Sequence, residues 1–277
     1  MVLSVVLDSC VIYPMPLRDT LMRAAEAELY ELYFSQEILD GATRNLVKDG
    51  KMKNAQAANL QEEIKRYFPE AMVEVPEHLV VKMTNNPDDR HVIAAAIVAK
   101  AEVIVTVDMD GFPSEALAPW GIEAWHADDF LVYLDEQNPG TMIKIIWEQS
   151  NQLKVPKSVP EIIDKLETTN LNRKNRVPKF THTIRCQFYG DAIVQTAEKA
   201  LELGMPAPEG GRCYEGEKYR LWQKREILTI TAKDNRGEIL RLENGVIGGY
   251  LSSADIEAFQ IFEQSLEEAK RKKDQTS

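Results

Sequence analysis

The fold of the first half is decided by a segment that reads Asn86-Pro-Asp-Asp-Arg-His-Val-Ile-Ala-Ala-Ala-Ile-Val-Ala99 and leads into Glu102-Val-Ile-Val-Thr-Val-Asp108. Asn86 suits a helix cap, Pro87 suits the first helical position, and the two acids after it suit the first turn. The residues from Val92 to Ala99 are apolar on every side, which predicts a buried helix. The β-branched run that follows predicts a strand buried on both faces, as in a parallel sheet.

The segments around this helix and strand continue the same alternation. Val2 to Leu7 is another apolar β-branched run, and it ends at Asp8. A helix is predicted from Pro16 through Leu32, where leucines and alanines recur near helical spacing. The other predicted elements are a helix from Ser35 to about Val47, a helix over 54–67, a short strand over 72–75, a strand over 121–125 and a helix over 127–136. We therefore expect a three-layer α/β domain with a central parallel sheet.

Acidic residues stand at places that meet in such a sheet. Asp8 and Asp108 follow two predicted strands, and Asp89 begins the helix that leads into the second. Sites in open α/β sheets form at the carboxyl ends of strands, so these three acids can converge. Crowded carboxylates repel unless a cation or protons neutralise them, and oxygen ligands without His or Cys favour Mg²⁺ or Mn²⁺. Such an ion can activate water and stabilise charge on a phosphodiester.

Each acid also has an ordinary structural interpretation. Asp89 and its neighbour Asp88 complement a helix dipole, and Asp8 and Asp108 end strands as turn residues often do. The metal-site hypothesis therefore depends on the joint placement of the three acids, because three independent acids at one sheet edge are rarely all structural.

The composition excludes several classes of protein. The chain has 277 residues, of which 44% are hydrophobic and 28% charged, so it is neither disordered nor collagen-like. The longest apolar run, 92–99, is far shorter than the ~20 residues of a membrane helix, and the N-terminus has no basic patch, so we expect no membrane anchor and no signal peptide. Cys10, Cys186 and Cys213 have neither disulfide-framework nor zinc-site spacing, which favours the cytoplasm.

The net charge of −11 is unevenly distributed. Residues 1–138 contain 11 Lys or Arg and 24 Asp or Glu, whereas residues 139–277 contain 22 and 20. The segment 168–190 has basic residues and no acid, and its candidate RNA-binding residues are Arg173, Lys174, Arg176 and Lys179. A basic patch of this kind can sit on phosphates. A solvated basic linker explains the segment equally well.

Five blocks of sequence follow one another in the first half with a recognisable order and spacing. They are Val5-Val-Leu-Asp8-Ser-Cys-Val-Ile-Tyr-Pro14, Leu17-Arg-Asp19, Ser35-Gln-Glu-Ile-Leu-Asp40 with Arg44-Asn-Leu46, Pro87-Asp-Asp-Arg-His-Val-Ile-Ala-Ala-Ala96, and Val103-Ile-Val-Thr-Val-Asp108 followed by Phe112-Pro113. Together they resemble the PIN domain, of the VapC-like kind, over residues 1 to about 135. The predicted helices near 141–152 and 159–168 look like the trailing extension of this subgroup.

This resemblance implies a metal-dependent ribonuclease fold that cuts RNA, is often the toxin of a toxin–antitoxin pair and is often a homodimer. Carried over by position, Asp8, Asp89 and Asp108 look like the catalytic, metal-binding acids. Ser9 and Thr106 look like the supporting hydroxyls.

The chain departs from the family's pattern at two glycines. Gly41 stands where the family usually has Glu after Ile-Leu-Asp, and Gly111 stands where it often has Asp before Phe-Pro. Asp110 and Glu37 are candidate replacement ligands, since Asp110 adjoins Gly111 and Glu37 lies one helical turn before Gly41 on nearly the same face. Glu37 also suits the first turn of its helix. Asp40 is adjacent to Gly41 but about 100° around the helix, where it can pair with Arg44.

The second half resembles no family that we can name. We predict a strand over 181–188, a helix over 191–203, and four antiparallel strands near 218–223, 227–232, 238–242 and 246–250. Asn244-Gly245 is a strong hairpin signal, and Ser252 to Asp255 forms a capping box for a closing helix. The expected organisation is a PIN-like nuclease domain at 1–138, a helical extension and basic linker at 139–177, and a small α+β domain with an antiparallel meander at 178–277.

These observations predict a Mg²⁺- or Mn²⁺-dependent endoribonuclease, toxin-like, whose partners are an RNA substrate, an antitoxin protein and a second copy of the chain. The two glycines support an alternative, a catalytically weakened PIN fold that acts as a binding or regulatory module. A DNA-directed nuclease of replication or repair would share the site but not the substrate.

Overall fold

A computed structural model describes residues 2–138, 140–152, 157–169, 179–207 and 210–274, without the side chains of 269, 270 and 272–274. The chain divides into two compact units, Met1–Pro178 and Lys179–Ser277. Within the described ranges, no helix is both long enough and apolar enough to span a membrane.

The first unit is built around a parallel sheet of five strands. In chain order these are β1 (Ser4–Leu7), β2 (Glu31–Ser35), β3 (Met72–Val73), β4 (Val103–Thr106) and β5 (Glu123–His126). Their spatial order is β3-β2-β1-β4-β5, and every neighbouring pair is parallel. The inner strands β1 and β4 are almost entirely buried, as their unbroken apolar sequences predict.

Helices surround this sheet and give the expected three-layer α/β architecture. They are α1 (Ser9–Ile12), α2 (Met15–Glu26), α3 (Gln36–Lys48), α4 (Asn54–Tyr67), α5 (Glu77–Val80), α6 (Arg90–Ala99), α7 (Ser114–Leu117), α8 (Ala127–Gln137), α9 (Thr141–Gln152) and α10 (Val159–Thr168). The all-apolar helix α6 packs against β1, β2 and β4. It therefore forms part of the core that fixes the position of Asp89 at its N-terminal end.

The prediction of one helix from Pro16 through Leu32 is wrong at its end. Helix α2 stops at Glu26, Glu28 adopts a left-handed φ of 58°, and strand β2 begins at Glu31. Leu32 and Phe34 are buried on alternate positions, which is the strand period. Leu29 and Leu32 matched helical spacing only because a short strand gives too few positions to distinguish the two periods.

Helices α9 and α10 pack in the first unit, α9 against α2, α8 and α10, and α10 also against α2. Gln149 of α9 is fully buried, accepting a hydrogen bond from Thr20 Oγ1 at 2.9 Å and donating one to the carbonyl of Pro16 at 3.0 Å. The two helices predicted near 141–152 and 159–168 are present with these bounds.

The second unit combines an antiparallel sheet with two long helices. Its strands are β6 (Met205–Pro206), β7 (Arg212–Glu215), β8 (Tyr219–Lys224), β9 (Ile227–Ala232), β10 (Gly237–Glu243) and β11 (Val246–Gly249), in sequential spatial order. Helices α11 (Lys179–Glu202) and α12 (Ser253–Asp274) share one apolar core with the sheet. The Asn244-Gly245 hairpin and the Ser252–Asp255 capping box are confirmed, with positive φ at both turn residues.

The predicted strand over 181–188 is wrong, because these residues belong to a single helix of 24 residues. The β-branched and aromatic side chains of this segment match the preferences of a strand, and Gly190 lies between the predicted strand and the predicted helix. Instead Gly190 lies inside the helix against β11, where an added Cβ would come within 2.8 Å of the Cγ2 atom of Ile247. Packing, and not a turn, thus explains this glycine.

Candidate active site

Asp8 lies where β1 ends and α1 begins, and its carboxylate is buried and hydrogen-bonded. Its Oδ2 atom accepts hydrogen bonds from Thr106 Oγ1 at 2.8 Å and from Cys10 Sγ at 2.8 Å. Its Oδ1 atom accepts one from Ser9 Oγ at 3.2 Å. The side chains of Ser9 and Thr106 therefore contact Asp8, the acid that the resemblance implies they support.

Asp108 follows the neighbouring strand β4 at the same edge of the sheet. Leu7 of β1 pairs with Val105 of β4, and the amide of Asp8 donates to the carbonyl of Val105 at 3.0 Å. The amide of Asp108 donates to Thr106 Oγ1 at 3.0 Å, while that hydroxyl donates to Asp8. One threonine hydroxyl thus connects the backbone of Asp108 to the carboxylate of Asp8.

Asp89 is placed by a capped turn at the start of α6. The side chain of Asn86 accepts a hydrogen bond from the amide of Asp88 at 3.3 Å, and a 3-10 turn over Pro87–Asp89 leads into the helix. Burial raises the pKa of Asp89, and the nearby negative charges of Asp8 and Asp108 raise it further. The three predicted acids therefore lie near enough to interact electrostatically.

The three carboxylates do not form a closed ligand cluster. Across the described ranges, no three His, Cys, Asp or Glu side chains form a group that could hold a metal ion as they stand. The donor set nevertheless has the chemistry of a hard-cation site, since it offers carboxylate and hydroxyl oxygens at one sheet edge.

The two candidate replacement acids are exposed. Glu37 lies in the first turn of α3, and Asp110 lies in the 3-10 turn over Met109–Gly111. Asp40 accepts hydrogen bonds from the side-chain amides of Gln36 and Gln61, at 2.8 and 3.0 Å. A ligand role for Glu37 or Asp110 stays a prediction.

The two glycines that interrupt the family's pattern both lie next to site residues. A Cβ built on Gly41 would be 3.3 Å from the Cβ of Ser9, and one built on Gly111 would be 2.5 Å from Oδ2 of Asp89. Asn85, which is buried, donates from Nδ2 to the carbonyl of Gly111 at 3.0 Å. The spaces that the missing acids would enter are thus partly occupied.

Only one of the four predicted RNA-binding residues lies within the described part of the chain. Arg173, Lys174 and Arg176 lie outside the described residues, and Lys179 is the first residue of α11. Their role therefore stays a prediction. Sequence reasoning missed Cys10, whose thiol contacts Asp8, although its position two residues after Asp8 at a strand-to-helix junction was a usable signal.

Comparison with known proteins identifies the first unit. Residues 4–110 match the PIN domain family. The first unit therefore contains a PIN domain, with Asp8, Asp89 and Asp108 inside the matched range.

One curated protein is similar to part of the chain. The chain is 36% identical over 125 residues to the protein named "Putative ribonuclease VapC50" of Mycobacterium tuberculosis (strain ATCC 25618 / H37Rv). The match covers 45% of this chain and 61% of that protein, so the chain spans about three fifths of the relative's length. No solved structure matches the chain.

Proposed function

We propose that the protein is a divalent-metal-dependent endoribonuclease of the VapC-like kind, with Asp8, Asp89 and Asp108 as its catalytic acids. The observation that carries the proposal is the placement of the three acids: Asp8 follows β1, Asp108 follows the neighbouring strand β4, and the charges of both act on Asp89 at the start of α6. The PIN domain match and the similarity to a putative ribonuclease support the same reaction.

Asp8 and Asp89 differ in their hydrogen bonds and in the pKa of their carboxyl groups. Three donors hold the buried Asp8 carboxylate in place, while Asp89 is half-buried and carries a raised pKa. These acids would hold Mg²⁺ or Mn²⁺, which lowers the pKa of bound water and stabilises negative charge on a phosphodiester. Ion binding would be favoured because the cation neutralises the repulsion among the three carboxylates. The acidic cleft would bind RNA only when these cations are present.

The proposal includes partners. RNA is the substrate, an antitoxin protein regulates the nuclease, and a second copy of the chain forms a homodimer. We place the activity in the cytoplasm, because Cys10, Cys186 and Cys213 form no disulfide and so suit a reducing medium. Arg173, Lys174, Arg176 and Lys179 would contact RNA phosphates.

The test is cleavage of labelled RNA by the wild-type chain and by Asp8→Asn, each with Mn²⁺, with Mg²⁺ and with EDTA. Metal-dependent cleavage by the wild type and its loss in Asp8→Asn are expected. Glu62→Gln is the control, because it removes one exposed carboxylate from α4. Unchanged cleavage by Asp8→Asn would contradict the assignment.

Two further assays distinguish the proposed nuclease from its two rival functions. A weakened PIN fold that only binds or regulates would retain RNA in a filter assay without cutting it at any Mn²⁺ concentration. Gly41 and Gly111 motivate this rival, since the acids usual at these places are absent. A parallel digestion of labelled DNA distinguishes a DNA-directed nuclease, which would cut the DNA in preference to the RNA.

A further inference from the structure

The thiol of Cys10 lies at the centre of the hydrogen bonds that surround Asp8. Its sulfur is 2.8 Å from Asp8 Oδ2, 3.3 Å from Thr106 Oγ1 and 3.4 Å from the amide nitrogen of Val107, which donates to it. The sulfur thus contacts the carboxylate, a second donor to that carboxylate, and the backbone at the end of β4.

The thiol acts as a donor to the carboxylate. The Cys10 thiol has one S–H donor and a sulfur that can accept, so it can accept from the amide of Val107 while it donates to Asp8.

Cys10 and Thr106 donate to the same oxygen. Both bonds reach Oδ2, whereas Oδ1 accepts the longer bond from Ser9. Without Cys10 the carboxylate would keep Thr106 on Oδ2 and the longer bond from Ser9 on Oδ1, so the thiol adds a second restraint on the position of Oδ2 and on rotation about the Cβ–Cγ bond. The two donors come from different elements, α1 and β4, so the carboxylate is held across the junction of both.

We infer that Cys10 is a positioning residue that holds the Asp8 carboxylate in the orientation required for divalent-cation binding. The inference rests on the proposed metal-dependent function and adds to it a residue that acts through Asp8. Groups that orient metal-binding carboxylates typically change metal affinity by ~10–100-fold when they are removed.

The size of sulfur matters as well as its proton. A serine hydroxyl at position 10 would keep a donor, but its shorter bond to Cβ would pull the oxygen away from at least one of the three partners. Serine should therefore restore the orientation of Asp8 in part, whereas alanine removes the donor and valine fills the volume without it.

The test measures Mn²⁺ binding to the full chain by calorimetry, without RNA, for the wild type, Cys10→Ala, Cys10→Val and Cys10→Ser. We expect ~10–100-fold weaker binding for alanine and valine and at least partial recovery for serine. Thermal denaturation in EDTA identifies any variant that fails to fold, and valine serves if alanine fails. Cys213→Ala, which removes a thiol from β7 of the second unit, is the matched control and should bind as the wild type does.

Two negative results have different meanings. Wild-type affinity in both Cys10→Ala and Cys10→Val, with binding abolished in Asp8→Asn, overturns the role of Cys10 and leaves the proposed function intact. A wild-type chain that neither binds Mn²⁺ nor cleaves RNA overturns the proposed function, and the positioning role with it.

Discussion

The carboxylate of Asp89 lies against Gly111, in the space that a side chain at position 111 would need. A Cβ added to Gly111 would stand 2.5 Å from Oδ2 and 3.0 Å from Cγ of Asp89. Distances under 3.0 Å essentially do not occur for real Cβ atoms, so one of the two groups would have to move. In this chain, therefore, the absence of a side chain at 111 and the position of Asp89 depend on each other.

The first prediction concerns this contact. Gly111→Ala should displace the Asp89 carboxylate and reduce Mn²⁺-dependent cleavage by ~10–100-fold, because a displaced ligand weakens metal binding. The backbone at Gly111 has no positive φ, so alanine is compatible with its conformation. The measurement is the Mn²⁺ concentration for half-maximal cleavage.

Gly248→Ala is the control for this substitution. Its added Cβ meets no atom within 4 Å, and its φ is not positive. An unshifted Mn²⁺ dependence in Gly111→Ala, with the fold intact, would show that the contact does not position Asp89.

The second prediction uses the raised pKa of Asp89. An acid whose pKa is higher in the folded state than in the unfolded state destabilises the fold as pH rises above the unfolded pKa, because the unfolded chain ionises first, and the full cost is reached above the folded pKa. Asp89→Asn should therefore raise the melting temperature in EDTA at neutral pH, by roughly 1–3 °C. At pH 3, where the carboxyl is protonated in both states, the difference should disappear.

Added Mn²⁺ should reverse this order. The ion stabilises the wild type because it binds only the folded chain, and it should stabilise Asp89→Asn much less. Thermal scans at pH 7 with EDTA and with Mn²⁺ measure both effects. A lower melting temperature for Asp89→Asn in EDTA would mean that the carboxylate makes a stabilising contact that outweighs its repulsion.

The elements that could be predicted from the sequence are those whose hydrophobic pattern has a single structural explanation. The buried strands β1 and β4 and the stretch 92–96 of helix α6 are almost entirely apolar, as a central position in a layered fold requires. Strand β2 was hidden because five residues cannot separate a period of 2 from one of 3.6. The end of α2 depends on a left-handed Glu28, a residue without a turn preference that would reveal it.

The site was predictable to the level of backbone placement. The α/β pattern predicts that Asp8 and Asp108 lie at the same edge of the sheet, whereas only the structure shows that their strands are neighbours. The hydrogen bonds of Cys10 and the contact of Gly111 with Asp89 depend on side-chain packing between segments about a hundred or about twenty residues apart. Periodicity carries no information about such contacts.

The third prediction concerns the acid stability of the second unit. Burial alone would raise the pKa of Asp255, but hydrogen bonds from Arg236, from Ser252 and from Tyr219 lower it to about 2. A depressed carboxyl pKa stabilises the fold above the unfolded value near 4, and this contribution, about 2–3 kcal/mol, is lost as pH falls from ~4 to ~2. Asp255→Asn should remove most of this pH dependence.

The pH dependence of the second unit's stability is measured by hydrogen–deuterium exchange between pH 2 and pH 6. The peptides to follow are those from β10 and α12. The control is Glu243→Gln, which removes an exposed partner of Arg241 and should cost less than about 1 kcal/mol. Equal acid sensitivity of the wild type and Asp255→Asn would assign the loss of stability to another group.

The last prediction tests whether the packing of α9 stabilises the first unit. Gln149 is fully buried between α9 and α2, and removal of its amide breaks its hydrogen bonds with Thr20 Oγ1 and with the Pro16 carbonyl. These two groups keep the hydrogen bond that Thr20 Oγ1 donates to the Pro16 carbonyl at 2.9 Å, so Gln149→Leu should lower the free energy of unfolding of this unit by about 1 kcal/mol. Gln152→Ala is matched to it, because Gln152 also bonds α2, through Arg23, but on the exposed surface, and should change stability by less than about 0.5 kcal/mol. Exchange rates of amides in α2 and β1 report the effect, and equal rates in the two variants would mean that α9 packs on the PIN domain without stabilising it.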